Sequence, residues 1–349
     1  MRLSSALSYS LFLSRVGEFL RPFIEIGLKS LVQEDAKNLS FFEILDGMSI
    51  TKLYRFTHKN QSYVLRILAP HYTAEKRRNE IEAHTLGAQL GIAPRLYYTD
   101  PNAFILIMAY VESRVLTLHD LKKKDILETL GKILSKLHGK SDFFPHRRSQ
   151  RDRVMLHVQK ARRYDIAFPS VYEDLYERYQ AEANQQEKKD QALVHGDLNL
   201  SNILLTSEGK IFLIDWATAS LDNQYVDLGN LTLWGGMGPV ETESLMDAYF
   251  GRPPTKKELT ALCWGQKGGA FYTATLWLQA AYGDVGRHPS LTMAEQRQDL
   301  DRWMEEPLRE AWDYTRTGDV VSLKAGERSL EDKLKYGLSF LKAYQNWVC

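Results

Sequence analysis

The spacing of apolar positions divides the chain into a strand-rich first part and a helix-rich remainder. Before Val111, short apolar runs alternate with polar turns and with one charged stretch of helical character, and after it apolar residues recur at the three- and four-residue spacing of helices. A single hairpin near 203–215 interrupts these helices. The pattern predicts an α+β protein in which a small antiparallel sheet with one helix precedes a mainly helical part. The predicted strands are 41–45, 50–57, 62–68, 95–99 and 103–109, and the predicted helix is 73–90.

From the same pattern we expect three segments along the chain. They are a helical extension over 1–35, a sheet-rich N-lobe over 36–111 and a helical C-lobe over 112–349. The extension starts with an apolar stretch, but charged residues follow it at once and no small-residue cleavage site closes it, so we do not expect a signal peptide. Its apolar residues predict an amphipathic segment that packs on the rest of the protein or on a partner; they are Leu7, Leu11, Phe19, Phe23 and Ile26.

Composition narrows the choice of function class. The 349 residues are 44% hydrophobic and 26% charged, and their net charge of +1 provides no global field for nucleic acid or an anionic membrane. The longest apolar run, Phe104–Val111, is far shorter than the ~20 residues of a spanning helix. Two cysteines, Cys263 and Cys349, cannot form a disulfide scaffold or a thiolate zinc site on their own. We therefore expect a cytoplasmic protein without a transmembrane segment.

The most informative stretch is His195–Asn202, which reads His-Gly-Asp-Leu-Asn-Leu-Ser-Asn and is followed by two apolar runs around a Glu-Gly turn. If this turn is centred between Glu208 and Gly209, Asn202 lies directly opposite Asp215, and facing side chains are ~5 Å apart. Amide and carboxylate oxygens at that spacing suit Mg²⁺. Asp197, in the polar loop upstream, is then available as a catalytic base.

The pattern H-G-D-x-x-x-x-N followed by I-D-W resembles the catalytic and metal-binding loops of the aminoglycoside phosphotransferase and choline kinase superfamily, relatives of protein kinases. The resemblance covers roughly residues 41–250 and implies a bilobal kinase-like fold that uses ATP and Mg²⁺. It implies that Asp197 accepts or orients the substrate hydroxyl and that Asn202 and Asp215 hold Mg²⁺. In the same comparison His195 supports the loop by hydrogen bonding.

The resemblance also implies nucleotide-binding residues in the N-lobe. Arg66 stands where relatives carry a cation on the phosphates, and Glu80, 14 residues before Pro94, stands where they carry its partner, with Glu82 as the alternate. Ser49 belongs to a short turn that would cover the phosphates. The hinge that reads adenine through backbone groups would comprise Met108, Ala109, Tyr110 and Val111, and the buried Asp after the metal loop would be Asp227.

One residue departs from the family pattern, and several motifs of other nucleotide-binding families are absent from the sequence. Ala217 follows Trp216 where many relatives carry Glu, which puts a second metal or substrate contact in doubt but leaves the first metal site. The Walker A and G-x-G-x-x-G patterns are absent, and so is the D-F-G and A-P-E pair of protein kinases. A nucleotide-binding pseudokinase that serves as a scaffold is the alternative of another class.

The acceptor is less well defined by sequence. Six aromatic residues and an acid-rich stretch over 295–313 favour a small cationic acceptor through cation–π attraction and charge, although core packing and a solvated helix face explain the same residues. The C-lobe sequence resembles choline-kinase-like and thiamine-kinase-like members of the superfamily. The resemblance therefore implies choline or ethanolamine as the first candidate acceptor, and thiamine or an aminoglycoside as the alternatives. A basic run over 147–163 is either a solvated helix face or a contact for phosphate or a partner. The aromatic residues are Trp264, Tyr272, Trp277, Tyr282, Trp303 and Trp312.

Overall fold

The computed structural model describes residues 3–45, 51–140, 148–186, 190–282, 291–310 and 329–349. Antiparallel strands and a larger number of helices confirm the α+β prediction. The chain divides into two compact units that each combine two stretches. The first unit runs up to Leu116 and includes Ser201–Ala219, and the second comprises Thr117–Leu200 and Ser220–Cys349. Within these ranges, no helix has the length and hydropathy that a membrane span requires.

The strands are β1 (Leu7–Ser8), β2 (Ser40–Glu43), β3 (Lys52–His58), β4 (Gln61–Ile67), β5 (Leu96–Thr99), β6 (Ile105–Ala109), β7 (Arg114–Val115), β8 (Gln191–Val194), β9 (Ile203–Leu205), β10 (Ile211–Leu213) and β11 (Ser220–Asn223). The helices are α1 (Tyr9–Arg15), α2 (Arg21–Val32), α3 (Ala74–Gln89), α4 (Lys124–His138), α5 (Gln150–Arg163), α6 (Tyr172–Gln186), α7 (Tyr225–Trp234), α8 (Pro239–Phe250), α9 (Lys256–Ala280), α10 (Met293–Glu305) and α11 (Leu330–Asn346).

The main sheet of the first unit has the order β1-β2-β3-β4-β6-β5, and β4 lies inside it between β3 and β6. Alternate side chains of a strand point to opposite faces. The odd positions of β4 pack in the core that contains α1 and α2, while Val64 packs in a separate cluster with Leu106 and with Ile81 of α3. Arg66 is in phase with Val64, so the strand directs it to the face that α3 covers.

The N-terminal segment packs on this sheet, but through a different face from the one expected. Of the predicted apolar residues only Leu7 is buried, whereas Leu11, Phe19 and Ile26 are exposed. The buried positions are offset by one or two residues, because the segment is divided into β1 and two short helices, each with its own phase. The buried side chains are Phe12, Val16, Leu20, Ile24, Leu28 and Val32.

The hairpin after the catalytic stretch forms, but its register differs by one residue from the expected one. Leu205 pairs with Ile211 and Ile203 with Leu213, so Asn202 faces Ile214 rather than Asp215. The reason is a turn of three residues between Thr206 and Lys210, in which Gly209 adopts a φ of +80°. A second antiparallel pair, β8 with β11, was not predicted, because Ser-Leu-Asp-Asn reads as a turn rather than a strand.

The second unit is organised around α9, which packs on α5, α7 and α11. The crossing of α7 with α9 is close because glycines meet there. A Cβ added to Gly265 would lie 2.1 Å from the carbonyl oxygen of Tyr225, and one added to Gly229 would lie 2.3 Å from the carbonyl carbon of Gly265. The backbones of the two helices are therefore in direct contact, and the direction of α9 is fixed by α7.

A disulfide joins Cys263 of α9 to Cys349 beyond the end of α11. The two Cα atoms are 5.6 Å apart, which is within the range that a disulfide spans. Because such bonds are rare in reducing compartments, the cytoplasmic location expected from the sequence stays a prediction.

Replacing Gly265 with Ala should destabilise the protein. The added methyl group overlaps the Tyr225 carbonyl, and neither backbone can move without displacing its helix, so we expect a loss of about 1–3 kcal/mol or more in chemical denaturation. The matched control is Gly139→Ala in the same unit, where the nearest atom to the new Cβ is 3.4 Å away. Equal stability of the two variants would contradict the close crossing.

Replacing Cys349 with Ser should lower the free energy of unfolding by about 2–4 kcal/mol, since the bond closes a long loop in the unfolded chain. A reductant should destabilise the parent protein by a similar amount and leave the variant unchanged, as followed by denaturant titration. Intact mass measured without reductant provides the independent check, and two free thiols there would rule out the bond.

Candidate active site

The carboxylate of Asp227, at the start of α7, holds the loop that carries the predicted catalytic residues. Its Oδ2 accepts the backbone N–H of His195 at 2.7 Å, and its Oδ1 accepts that of Gly196 at 2.8 Å. Gly196 has a φ of +79°, a conformation that favours glycine, so the loop turns sharply there. Asp227 and His195 are fully buried. The backbone of the loop is therefore hydrogen-bonded to a residue of α7 and not to water.

A second histidine completes this buried cluster. His138, the last residue of α4, contacts Asp227 Oδ2 through Nε2 at 3.1 Å and the hydroxyl of Tyr249 through Nδ1 at 2.8 Å. The Tyr249 hydroxyl donates to Gln224 Oε1 at 2.9 Å, so its oxygen is left to accept from the ring. His138 therefore links the end of α4 to the Asp227 carboxylate and, through Tyr249, to α8.

The electrostatics of Asp227 agree with this pairing. Burial alone would raise its pKa, but the hydrogen bond and charge of His138, the charge of His195 and the Gly196 N–H outweigh burial and lower the pKa below its ordinary value of 3.8. Asp227 is therefore ionised throughout the physiological pH range.

Asp197 follows this fixed turn and is accessible. Its backbone N–H donates to His195 Nδ1 at 3.4 Å, and its Oδ1 accepts from Asn199 Nδ2 at 2.9 Å. Asp197 is half-buried whereas His195 and Asn199 are buried, so the loop presents one oriented carboxylate from a rigid base. This is the arrangement that a general base requires.

In the first unit, Arg66 joins two of the predicted carboxylates. Its Nη2 lies 2.6 Å from Glu80 Oε1 and 2.7 Å from Asp215 Oδ1. Burial opposes the charge of the guanidinium, but these two carboxylates outweigh it and raise the pKa of Arg66. Glu80, rather than the alternate Glu82, is the residue that α3 directs to Arg66. A strand, a helix and the turn after a hairpin thus meet at one cation.

The turn that carries Asp215 makes two further contacts with α3, in addition to that ion pair. The buried ring of Trp216 packs against Gly87, where an added Cβ would lie 2.6 Å from the ring, and Asn79 Nδ2 donates to the carbonyl of Ala219 at 2.8 Å. Asp215 itself has a φ of +63°, which reverses the chain directly after Ile214. Ala217, the departure from the family pattern, lies in the short helical turn between these contacts.

Asn202 and Asp215 offer an amide and a carboxylate to a cation. Ile214 donates its N–H to the carbonyl of Asn202 at 3.0 Å, so the two predicted metal ligands flank the same end of the hairpin. Side-chain oxygens of this kind suit Mg²⁺, which commonly uses one or two carboxylates and takes its other ligands from phosphate and water. The described ranges contain no cluster of three or more His, Cys, Asp or Glu side chains that could hold a metal without them.

The other predicted nucleotide-binding residues lie at the end of β6 or outside the described structure. Met108 and Ala109 close β6, and the N–H of Tyr110 donates to Ser62 at 3.1 Å, which ties the following segment to the sheet. Val111 accepts a hydrogen bond from the side chain of Ser113. Ser49 and its turn, 46–50, fall outside the described residues.

Sequence reasoning did not find His138 or Tyr249. They are 89 and 22 residues from Asp227 along the chain, and each occurs in an ordinary helical pattern. The one available signal was their residue types, because a His ending an apolar helix and a Tyr within one need hydrogen-bond partners when buried.

Comparisons with known proteins show the family to which the chain belongs. A family model described as "Phosphotransferase enzyme family" matches residues 43–259, which is more than half of the chain. The chain therefore belongs to the phosphotransferase enzyme family and is a kinase-like enzyme. A search of curated protein sequences finds no match.

Solved structures share the fold at low sequence identity. A choline/ethanolamine kinase family protein from Mesorhizobium loti has a TM-score of 0.60 and 18% identity, over 90% of this chain and 98% of that one. The choline kinase LicA from Streptococcus pneumoniae has a TM-score of 0.58 and 18% identity, over 82% and 98%, and a LicA structure contains AMP. A spectinomycin phosphotransferase in complex with ADP and spectinomycin has a TM-score of 0.51 and 16% identity, over 82% and 94%. These likenesses establish the kinase-like fold.

Replacing Asp227 with Asn should destabilise the protein by about 1–3 kcal/mol or more, because an amide cannot accept all the buried hydrogen bonds that the carboxylate makes with His138, His195 and Gly196. The stability that the carboxylate provides is present above its unfolded pKa near 3.8 and is lost as the pH falls through the lower folded value. Denaturant titrations at several pH values should therefore show a larger loss below pH 4 in the parent than in the variant. The exposed Asp174→Asn change is the control, and parallel pH profiles of parent and Asp227→Asn would contradict the pairing.

Proposed function

We propose that the protein transfers the γ-phosphoryl group of ATP to a hydroxyl group of a small molecule. The observation that carries the proposal is the oriented and accessible carboxylate of Asp197 on a loop fixed by Asp227. Membership of the phosphotransferase family supports it. The structures of relatives that contain AMP or ADP support a nucleotide as the donor.

The residues of the first unit act on the donor. Arg66 is a planar, permanently charged donor suited to phosphate oxygens, and Glu80 holds its guanidinium in place. Asn202 and Asp215 would hold Mg²⁺, which when bound neutralises charge on the phosphates. The Arg66 guanidinium contacts Asp215, so the group proposed to bind phosphate and one of the groups proposed to bind the cation are adjacent.

Asp197 acts on the acceptor. The hydroxyl oxygen attacks the γ-phosphorus, the bond from that phosphorus to the bridging oxygen breaks to release ADP, and the hydroxyl proton passes to the Asp197 carboxylate. Asn199 orients the carboxylate by donating to Oδ1. Asn202 follows Asp197 by five positions, so the proposed base and the proposed metal ligand are close along the chain.

The identity of the acceptor has weaker support. The similar choline/ethanolamine kinase family protein and choline kinase support a choline- or ethanolamine-like amino alcohol, and the similar spectinomycin phosphotransferase supports an antibiotic as the alternative acceptor. The structure removes two of the six aromatic residues from the sequence argument for a cationic acceptor, however. Trp277 and Trp303 are buried in the core, and Trp312 is outside the described residues.

The acid-rich stretch has structural roles as well. Glu295 caps α10 by accepting from Thr292, Asp301 accepts from Ser170, and Glu306 pairs with Lys335. A cationic acceptor and thiamine therefore stay predictions from the resemblance alone. A pseudokinase scaffold is opposed by the intact set of Asp197, Asn202 and Asp215.

Replacing Asp197 with Asn should lower kcat by about 10²–10⁴-fold, the usual contribution of a general base, and leave the affinity for ADP within about twofold. Release of ADP from Mg²⁺-ATP is measured against choline, ethanolamine, thiamine and several aminoglycosides. The matched control is Asp247→Asn, an exposed position on α8. Turnover near that of the parent would overturn the role of Asp197, and nucleotide binding without transfer to any acceptor would favour the pseudokinase.

A further inference from the structure

The second unit contains an open cavity bordered by α5, α6 and α9. Its volume is about 620 Å³, including the part that is open to solvent. All of its lining residues belong to the second unit and come from the start of α5, from α6, α7 and α9, and from the end of β11. None of the catalytic-loop residues 195–202 contributes to the lining.

The cavity lies at the end of the β8–β11 pair that is remote from the catalytic loop. Asp222 and Asn223 of β11 line it, and Asn223 pairs with Gln191 at the start of β8. Gln191 lies four residues before His195, which is about 13 Å along an extended strand. An occupant of the cavity is therefore separate from the place where Asp197 acts.

Small residues of α9 form one wall of the cavity. Ala261, Gly265 and Gly268 follow one another at spacings of four and three residues, so they lie on one face of the helix. Gly265 contacts α7. A Cβ added to Gly268 would lie 3.1 Å from Gln150 Oε1 and 3.9 Å from Tyr179 Cε2. A side chain at Gly268 would therefore take up space beside these two groups.

Three aromatic side chains line the same cavity. Tyr179 and Tyr225 are buried, and the Tyr179 ring is stacked on that of Phe271 with the ring centres 4.6 Å apart. Trp264 is partly exposed. Rings that are held in this way suit an aromatic occupant, which gains from face and edge contacts in addition to the burial of its surface.

One polar group of the lining has no partner in the chain. Gln150 is 6% exposed, and its side-chain Nε2 is buried without a hydrogen-bond partner in the described structure. Its backbone N–H donates to Asp222 Oδ2 at 2.6 Å, and the reciprocal cap of Ser149 and Asp152 fixes the start of α5. The side-chain amide is therefore held at the cavity with a donor that is costly to leave unsatisfied.

The carboxylate of Glu182 lines the cavity from α6 but already has partners of opposite charge. Its Oε1 accepts from Lys267 Nζ at 2.7 Å and from Arg178 Nε at 3.1 Å. Its Oε2 accepts from the hydroxyl group of Tyr344 at 3.0 Å. A cationic occupant would therefore compete with two cations of the protein.

The other two charged residues of the lining are also bonded within the chain. Asp222 accepts the N–H groups of Gln150 and Asn223 at 2.6 and 2.8 Å. Arg151 Nε donates to Gln180 Oε1. Because an anion would meet two carboxylates and a cation would find them already bonded, a charged occupant would lose its hydration with little in return.

We propose that this cavity binds a neutral aromatic molecule that presents a hydrogen-bond acceptor, such as an amide oxygen, to the side chain of Gln150. Its ring would lie against Gly268 and contact Tyr179 and Trp264, and its acceptor would satisfy the buried donor. The site is additional to the proposed phosphoryl transfer, since its lining is separate from the catalytic loop and it requires no hydroxyl group of its occupant.

The probe is benzamide, compared with toluene, benzoate and benzylammonium, which keep the ring and change the polar group. Binding to the full chain is followed through the indole N–H signal of Trp264 in ¹⁵N–¹H spectra, assigned by its loss in Trp264→Phe. Saturating Mg²⁺-ADP keeps the probes out of the nucleotide site. Benzamide should bind at least about fivefold more tightly than each of the other three.

Gln150→Met removes the donor but keeps an unbranched side chain and the backbone bond to Asp222. It should weaken the binding of benzamide about fivefold and leave that of toluene within about twofold. The midpoint of unfolding should not fall, because an unsatisfied buried group is removed. An unchanged preference for benzamide over toluene in this variant would overturn the role of Gln150.

Gly268→Ala should weaken the binding of benzamide and toluene by about tenfold or more, because the added methyl group occupies the cavity. Gly139→Ala, in the same unit but outside the lining, is the matched control. Equal effects of these two variants, or a Trp264 signal that saturating benzamide does not move, would overturn the site. Tighter binding of benzoate or benzylammonium would overturn the neutral class. Benzamide has no hydroxyl group, so each outcome is independent of phosphotransferase activity.

Discussion

The carboxylate of Asp227 is the constraint on which the catalytic half of the molecule depends. One buried side chain accepts hydrogen bonds from the backbone of His195 and Gly196 and from the ring of His138. A buried charge is stable only when its partners remain in place, so the loop, the end of α4 and the start of α7 are fixed together. The position of Asp197 is a consequence of this cluster, because the residue follows directly after the bonded turn.

The sequence predicted those parts of the site that short-range spacing controls. The motif around Asp197, the strand with Arg66 and the helix with Glu80 could be found because each has its own local pattern, and the family resemblance indicated which of them belong together. The residue that faces Asn202 could not be derived from the sequence, because the hairpin register depends on whether the turn at Gly209 has two residues or three. A change of one residue in a turn changes every pairing in the hairpin.

The rest of the site depends on contacts between elements far apart in sequence. The pairing of His138 with Asp227 spans 89 residues, and nothing in the helix that contains His138 distinguishes it from a packed core residue. The basic run on α5 posed the same difficulty, because exposed and buried arginines look identical in sequence. Only the position of α9 shows that Arg153 lies against a ring, whereas Arg162 pairs on the surface.

The residues proposed to act on the phosphate donor and the residue proposed to act on the acceptor belong to different compact units. Arg66, Glu80, Asn202 and Asp215 lie in the first unit, and they are groups that suit phosphates and a hard cation. Asp197 lies in the second unit, where α7 and α9 meet through glycines. Because that contact is between backbones, side chains on the later turns of α9 and on α5 can vary without moving the loop. Substitutions there would leave the Asp227 cluster and the residues around Arg66 unchanged, as expected of a fold whose function resides in exchangeable side chains.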